Sequence, residues 1–342
     1  MPDSNLKNSK CRIIVDAMGG DYAPQNTVIG AIDAYNHSKD FQLYLIGIKE
    51  EILSVIKTNQ LYFDESYIID TPEVINMEDS PTSALKSKPD SSIVKGSQLV
   101  REGKAEAFVS AGNTGAVMSA ATLIMGRIQG VGRPTIGAEM PNVNGICYLY
   151  DVGAGKDAKP SHLFEYAVMG TIYAREMGGV SNPTVGILSI GEEEGKGNEV
   201  SAAAFKLLKE SKLNFIGNVE GRDILTKDVD VVVCDGFVGN IILKFGESVP
   251  KLLKHLLMQT ANTNLIDKIR VGISKGTLRK ALKSLDYQEH GGVPLLGVNG
   301  ICIIGHGSST PMAIKNMVLK AYEMYKADLV KKIENSFKEN LK

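Results

Sequence analysis

Five clusters of glycine and polar side chains each follow directly on a short apolar, β-rich run, and this placement restricts the chain more than any other feature. The runs lie at 12–16, 107–110, 146–151, 184–190 and 229–234, and the clusters that follow them reach Pro24, Gly115, Pro160, Asn198 and Asn240. Further apolar runs lie at 42–46, 213–217 and 300–304, and amphipathic helical stretches at 25–37, 91–102, 114–127, 161–177 and 198–208. Several runs are apolar throughout, as strands covered on both faces are. Strand–helix alternation at this spacing predicts an α/β fold with a mostly parallel sheet. In such sheets ligands bind outside the carboxyl ends of the strands. Ordinary connecting loops would scatter polar residues over both edges, so five clusters on one edge predict one site.

The 342 residues suffice for one large or two medium domains. With no repeat and no Pro/Ser-rich linker, we read residues 11–335 as a single catalytic domain behind a disordered, polar lead at 1–10 that carries no secretory signal. Hydrophobic residues at 43% and charged residues at 23% place the chain among globular proteins. A net charge of −1 gives no electrostatic support to a nucleic-acid partner. No apolar run approaches the length of a membrane span. Cys11, Cys147, Cys234 and Cys302 are scattered, with neither CxxC nor zinc-ligand spacing. They read as buried free thiols of a protein in a reducing cytoplasm.

The clusters exclude several chemistries. The segment 191–198, Gly-Glu-Glu-Glu-Gly-Lys-Gly-Asn, is not a nucleotide-binding P-loop: its spacing is one residue short, and Gly197 stands where a magnesium-holding Ser or Thr is needed. It can still cradle an anion through backbone N–H groups at a helix start, with Lys196 and Asn198 beside it. No G-x-G-x-x-G follows the first strand, where the Gly19-Gly20 turn sits between Asp16 and Asp21, carboxylates that would repel a pyrophosphate. No G-x-S-x-G follows an apolar strand run as a nucleophile elbow would, and there is no catalytic-cysteine context and no Asp-x-x-x-Asp pair. No metal, nucleotide or flavin is therefore expected. Lys156, Lys159 and His162 gather where Pro160 opens a helix, a placement that suits phosphate and equally a solvated loop with a capping His. His306 lies between two glycines, and Ser308 or Ser309 can cap the helix expected at 312–334.

Taken together, Val15 to Pro24 (VDAMGGDYAP), Ser110 to Gly115 (SAGNTG), Arg133-Pro134, Asp151 to Ala154 (DVGA), Gly191 to Asn198, Asn218 to Arg222 (NVEGR), Cys234 to Asn240 (CDGFVGN), Gly297 to Gly300 (GVNG) and His306 to Ser309 (HGSS) resemble one family. It is the phosphate acyltransferase (acyl carrier protein:phosphate transacylase, PlsX) family of bacterial glycerolipid synthesis, over residues 12–332. The sequence departs from it at Gly155, where Asn is expected, and at Ala158, where Cys is common. The resemblance implies an α/β/α sandwich similar to phosphotransacetylase and to the isocitrate/isopropylmalate dehydrogenases, a homodimer, and peripheral membrane association. It implies acyl carrier protein and inorganic phosphate as partners.

That chemistry suits the residues. Phosphate dianion is abundant near neutral pH and needs capture beside the thioester and oxyanion stabilisation more than a base. On loop position, Lys156, Lys159, His162, Lys196, Asn198 and the Gly19-Gly20 amides are expected to bind substrate. Asn113, Thr114, Asn240 and His306 are expected to orient the thioester or stabilise the oxyanion, with Asp16, Asp21 and Asp235 positioning them. The rivals are a short-chain phosphotransacetylase acting on a CoA thioester, a non-catalytic membrane scaffold, and an oxidoreductase of related fold. Residues 250–285 stand apart: Leu252, Leu253, Leu256 and Leu257, then Ile266, Ile269 and Ile273, then Leu278, Ala281, Leu282 and Leu285 form apolar stripes at helical spacing. Eight Lys/Arg against Asp267 alone give this segment +7. A basic amphipathic hairpin suits an anionic membrane surface or an acidic carrier protein, and a core or dimer helix is the plainer reading.

Overall fold

Runs of β-branched and aromatic residues become strands, and the Gly/Asx clusters end them. The computed structural model describes residues 10–155, 157–281 and 291–340. The chain opens with β1 (Cys11–Asp16), α1 (Gln25–His37), β2 (Phe41–Gly47), α2 (Lys49–Thr58), β3 (Ile68–Asp70), α3 (Pro81–Ser87), α4 (Ser92–Arg101), β4 (Ala107–Ser110) and α5 (Thr114–Ala120). It continues with β5 (Thr135–Asn142), β6 (Gly145–Tyr150), α6 (Pro160–Glu176), β7 (Thr184–Ser189), α7 (Glu199–Lys209), β8 (Asn214–Glu220), α8 (Asp223–Thr226) and β9 (Val231–Val233). Then follow α9 (Gly236–Ala261), α10 (Leu265–Ala281), β10 (Val293–Leu296), β11 (Ile301–Ile304), α11 (Pro311–Lys326) and α12 (Leu329–Asn340).

These elements form two compact units, one of residues 1–134 with 291–342 and one of 135–290. In the first, the strand order is β3-β2-β1-β4-β11-β10. β1 is parallel to β2, with Cys11 opposite Phe41 and Asp16 opposite Ile46, and parallel to β4 on its other side. β4 and β11 are parallel, and β10 alone runs against β11. β4 and β11 are buried at every residue, so both faces of this sheet are covered. α1 packs on α11, and α4 packs on β1, β2 and β4.

In the second unit the order is β5-β6-β9-β7-β8. β6, β9, β7 and β8 are parallel, and β5 is antiparallel to β6. β5 lies where the sequence suggests no strand, because Gly137 and Pro141 break its strand composition. Gly137 lacks a side chain because the cross-strand ring of Tyr150 occupies that space. Tyr150, Tyr166 and Tyr173 are among the largest fully buried side chains of this core.

Three helices differ from expectation. The stretch expected at 114–127 leaves regular α-helix after Ala120 and stops at Gly126, whose φ of 86° side chains other than hydrogen disfavour. The helix expected at 312–334 is two, broken where Asp328 takes φ 52°, a conformation Asp tolerates better than most residues. The basic segment is a pair of helices, but its first helix begins at Gly236 rather than Pro250, because Asp235 caps it and Pro250 sits inside it. Leu282, Lys283 and Leu285 lie outside the described residues.

Candidate active-site loops

In the first unit, three loops gather around Asp16 at the end of β1. Its carboxylate is buried and accepts hydrogen bonds from the Ser110 hydroxyl (2.7 Å) and the Met18 amide (3.1 Å). Burial pushes its pKa above the usual carboxylate range, against the opposing pull of the Ser92 and Ser110 hydroxyls and the Met18 amide. The Ser110 hydroxyl also accepts the Gly112 amide at 3.1 Å. Gly19 has no room for a side chain, since a Cβ would fall 2.6 Å from both Asp16 Oδ2 and Gly112 N. The Asp21 amide donates to Gly307 O at 2.7 Å, so the loops after β1, β4 and β11 meet. Asp16, Gly19, Gly20, Asp21 and His306 thus share one edge of one sheet, as expected from their positions.

Asn113 caps α5, its Oδ1 accepting the Ala116 amide at 3.0 Å, while its Nδ2 donates to Asn76 O, Met77 O and Asp79 O at 2.9–3.1 Å. It latches a distant loop onto α5 and leaves Thr114, the first residue of that helix, exposed. His306 Nδ1 accepts the Ser308 amide at 3.1 Å and lies 2.8 Å from the Ser308 hydroxyl. The neutral ring therefore carries its proton on Nε2 and can donate from that atom. Neither Ser308 nor Ser309 caps α11; Thr310 does, accepting the Ala313 amide.

In the second unit the organising carboxylate is Asp151, at the end of β6. Its Oδ1 accepts the amides of Ile136, Gly153 and Ala154 (2.9–3.3 Å), and its Oδ2 accepts that of Gly155 (2.8 Å). Burial raises its pKa against those four donors. Asp151 is not among the residues expected from the sequence; a carboxylate ending a buried strand just before V-G-A-G is the signal that marks it. A Cβ on Gly236 would fall 2.5 Å from Asp151 Oδ2, so α9 starts directly against this turn. Asp235 caps α9 by accepting the Phe237 and Val238 amides, both at 3.0 Å. Asn240, on the next turn, lies beside Gly153.

Lys159 precedes Pro160 at the start of α6 and is exposed, and its amide donates to His162 Nδ1 at 3.1 Å, so His162 contributes to the cap. Lys156 lies outside the described residues. Lys196 and Asn198 are exposed, and Asn198 caps α7 by accepting the Ser201 amide at 2.8 Å. The acidic triplet of this loop is partly neutralised by the Glu194–Lys209 (2.8 Å) and Glu192–Lys227 (3.7 Å) pairs. Asn198 and Asp235 both line a cavity of about 480 Å³ within this unit. Each unit therefore gathers glycine-rich turns, backbone N–H groups and helix starts at the carboxyl edge of its own sheet, an arrangement suited to holding anions. All four cysteines are free and buried; burial pushes Cys11, Cys147 and Cys302 up to about 12 and Cys234 well above its usual value. Among the described residues no cluster of His, Cys, Asp or Glu could hold a metal ion.

The family model described as "Fatty acid synthesis protein" matches residues 11–332. The chain belongs to this family. Relatives named phosphate acyltransferase include those of Halothermothrix orenii, 46% identical over 93% of this chain and 96% of the relative, and Desulforudis audaxviator, 46% identical over 93% and 94%. Among solved structures, a phosphotransacetylase from Streptococcus pyogenes superposes with a TM-score of 0.62 at 16% identity, covering 93% of this chain and 94% of that one. A second phosphotransacetylase, from Staphylococcus aureus, gives 0.59 at 17% over the same shares. At such identities the likeness shows the fold, and the family's α/β architecture is common to both.

Proposed function

We infer that the protein is a phosphate acyltransferase that moves a long-chain acyl group from an acyl carrier protein thioester to inorganic phosphate, for phospholipid synthesis. A phosphate oxygen attacks the thioester carbonyl carbon, the C–S bond breaks, and the carrier thiolate leaves and takes up a proton. The observation that supports this most is the gathering of glycine-rich, amide-presenting loops at the carboxyl edge of each sheet, in a chain whose relatives at 46% identity bear that name.

In this reading Lys159, Lys196 and Asn198, with Lys156 and His162, capture phosphate at the starts of α6 and α7. The Gly19-Gly20 turn adds backbone N–H groups. His306, through Nε2–H, with Thr114 and Asn240, stabilises the oxyanion or orients the thioester. Asn113 acts through the first turn of α5, and Asp16, Asp21 and Asp235 hold the loops. No thiolate nucleophile enters the scheme, in keeping with the raised pKa values of the four thiols. The test is phosphate-dependent release of free carrier thiol from hexadecanoyl carrier protein. Consumption of acetyl-CoA in its place would favour the short-chain reading.

Membrane association is part of the same proposal. Among the described residues no helix is long and apolar enough to cross a membrane. Leu252, Leu256, Leu265, Ile266, Ile269 and Ile273 are nevertheless 47–79% exposed, alongside Lys251, Lys254, Lys268 and Arg270. Such a surface supports peripheral binding to anionic lipid from the cytoplasmic side, by a homodimer.

A further inference from the structure

The cavity beside Asn198 and Asp235 has walls that phosphate capture does not need. It lies inside the second unit, and its volume of about 480 Å³ falls within the range of small-molecule sites. Leu163 of α6, Leu188 at the end of β7, Ile190 just after it, Val200 of α7 and Val238 and Ile242 of α9 line it. Val238 and Ile242 stand one helical turn apart on the same face. Its polar lining comes from Asn198 and Asp235, which cap the two bordering helices, and from Ser189 and Ser201 nearby. The Ser189 hydroxyl is buried and has no hydrogen-bond partner among the described residues. Ile190 is 83% exposed, an apolar side chain left uncovered on the cavity wall.

We propose that this cavity holds the acyl chain of the thioester, its carbonyl end beside Asn198 and Asp235, and that Val238 and Ile242 limit the chain length admitted. The inference rests on the acyltransfer reading above. A hydrocarbon chain fits these walls better than the pantetheine arm of the carrier, because pantetheine carries amides that six aliphatic side chains cannot satisfy. Apolar walls with a few convergent polar groups are also the common form of a site that takes an apolar body with one polar end. The arrangement places the scissile carbonyl between the starts of α7 and α9, next to the phosphate proposed to bind at the starts of α6 and α7.

The test compares hexadecanoyl and hexanoyl carrier protein as substrates for the wild type and for Val238→Phe, Ile242→Trp and Ile242→Ala. Narrowing the cavity is expected to lower the hexadecanoyl-to-hexanoyl ratio of kcat/KM at least tenfold while the KM for phosphate is unchanged, and Ile242→Ala is expected to raise that ratio. A general structural defect would lower both substrates together. A ratio that moves in none of the three variants, in protein that melts as the wild type does, overturns the inference and leaves the acyltransfer reading standing. Equilibrium binding of the two carrier proteins without phosphate keeps the tests separable. If the wild type forms no acyl phosphate, the acyltransfer reading fails. In that event a chain-length preference in binding that Ile242→Trp abolishes supports the cavity assignment, and the lack of one overturns it. Should the enlarged side chains prevent folding, Ile242→Ala decides alone.

Discussion

The Ser110 hydroxyl donates to Asp16 Oδ2 at 2.7 Å, a buried contact that ties the end of β4 to the end of β1 across 94 residues of sequence. Gly19 and Gly112 close over the same carboxylate. Losing this acceptor strands the Ser110 hydroxyl and the Met18 amide. Asp16→Ala should therefore lower stability by about 1–3 kcal/mol and, by loosening the turn, lower kcat. Urea denaturation together with turnover checks this; a variant as stable and as active as the wild type would remove Asp16 from the account.

Asp16 also makes a pH prediction. Its folded pKa is raised above the unfolded value of about 3.9. Between those two values the folded chain binds more protons than the unfolded one, so the contribution of Asp16 to stability is fully present below about pH 4 and is lost as pH rises through the folded pKa. Asp16→Asn has no such titration. The difference in unfolding free energy between wild type and Asp16→Asn should therefore change across that window, with the wild type losing ground as pH rises. A difference that stays flat from pH 4 to 7 would count against the buried carboxylate.

The four thiols are buried, and Cys11, Cys147 and Cys302 are pushed up to about 12. Native protein should react slowly with iodoacetamide at neutral pH, and each Cys→Ala variant should keep turnover within about twofold once its folding is verified. Isolation of an acyl group covalently attached to any of these cysteines would contradict direct attack by phosphate.

Lys196 and Lys159 are assigned to phosphate. Replacing either with Ala should raise the KM for phosphate about tenfold, as expected for a lost charge-assisted hydrogen bond, with little change in the KM for acyl carrier protein. Initial-rate kinetics with each substrate varied separately checks this. Unchanged phosphate dependence in both variants would move anion capture elsewhere.

Much of the fold was legible in the sequence because β1, β4, β7 and β9 are nearly continuous apolar runs ended by Gly/Asx turns. β5 was not, since Gly137 is explained only by the Tyr150 ring that fills its place on the neighbouring strand. Loop membership was legible, whereas the work each side chain does was not. Asn113 spends its amide on carbonyls of residues 76, 77 and 79, partners 34–37 positions away in a segment with no periodic pattern. His162 and Asn198 act as helix caps, a role their positions allowed but did not distinguish from ligand binding. Asp151 became visible only once four amides were found converging on it.

The exposed apolar residues of α9 and α10 predict binding to vesicles containing anionic lipid, weakening as salt rises. Combined Leu253→Glu, Ile266→Glu, Ile269→Glu and Ile273→Glu should abolish it. Equal binding to neutral vesicles, or none to either kind, would return these helices to a purely structural role.

Acyl phosphate formation is the most direct test of the central claim. Purified protein, hexadecanoyl carrier protein and inorganic phosphate are incubated without added metal or nucleotide, and the product is followed by phosphorus NMR with free carrier thiol measured in parallel. An acyl phosphate resonance should grow one-for-one with released thiol and disappear when phosphate is omitted. Thiol release that proceeds equally without phosphate, yielding free fatty acid and no acyl phosphate, would contradict it.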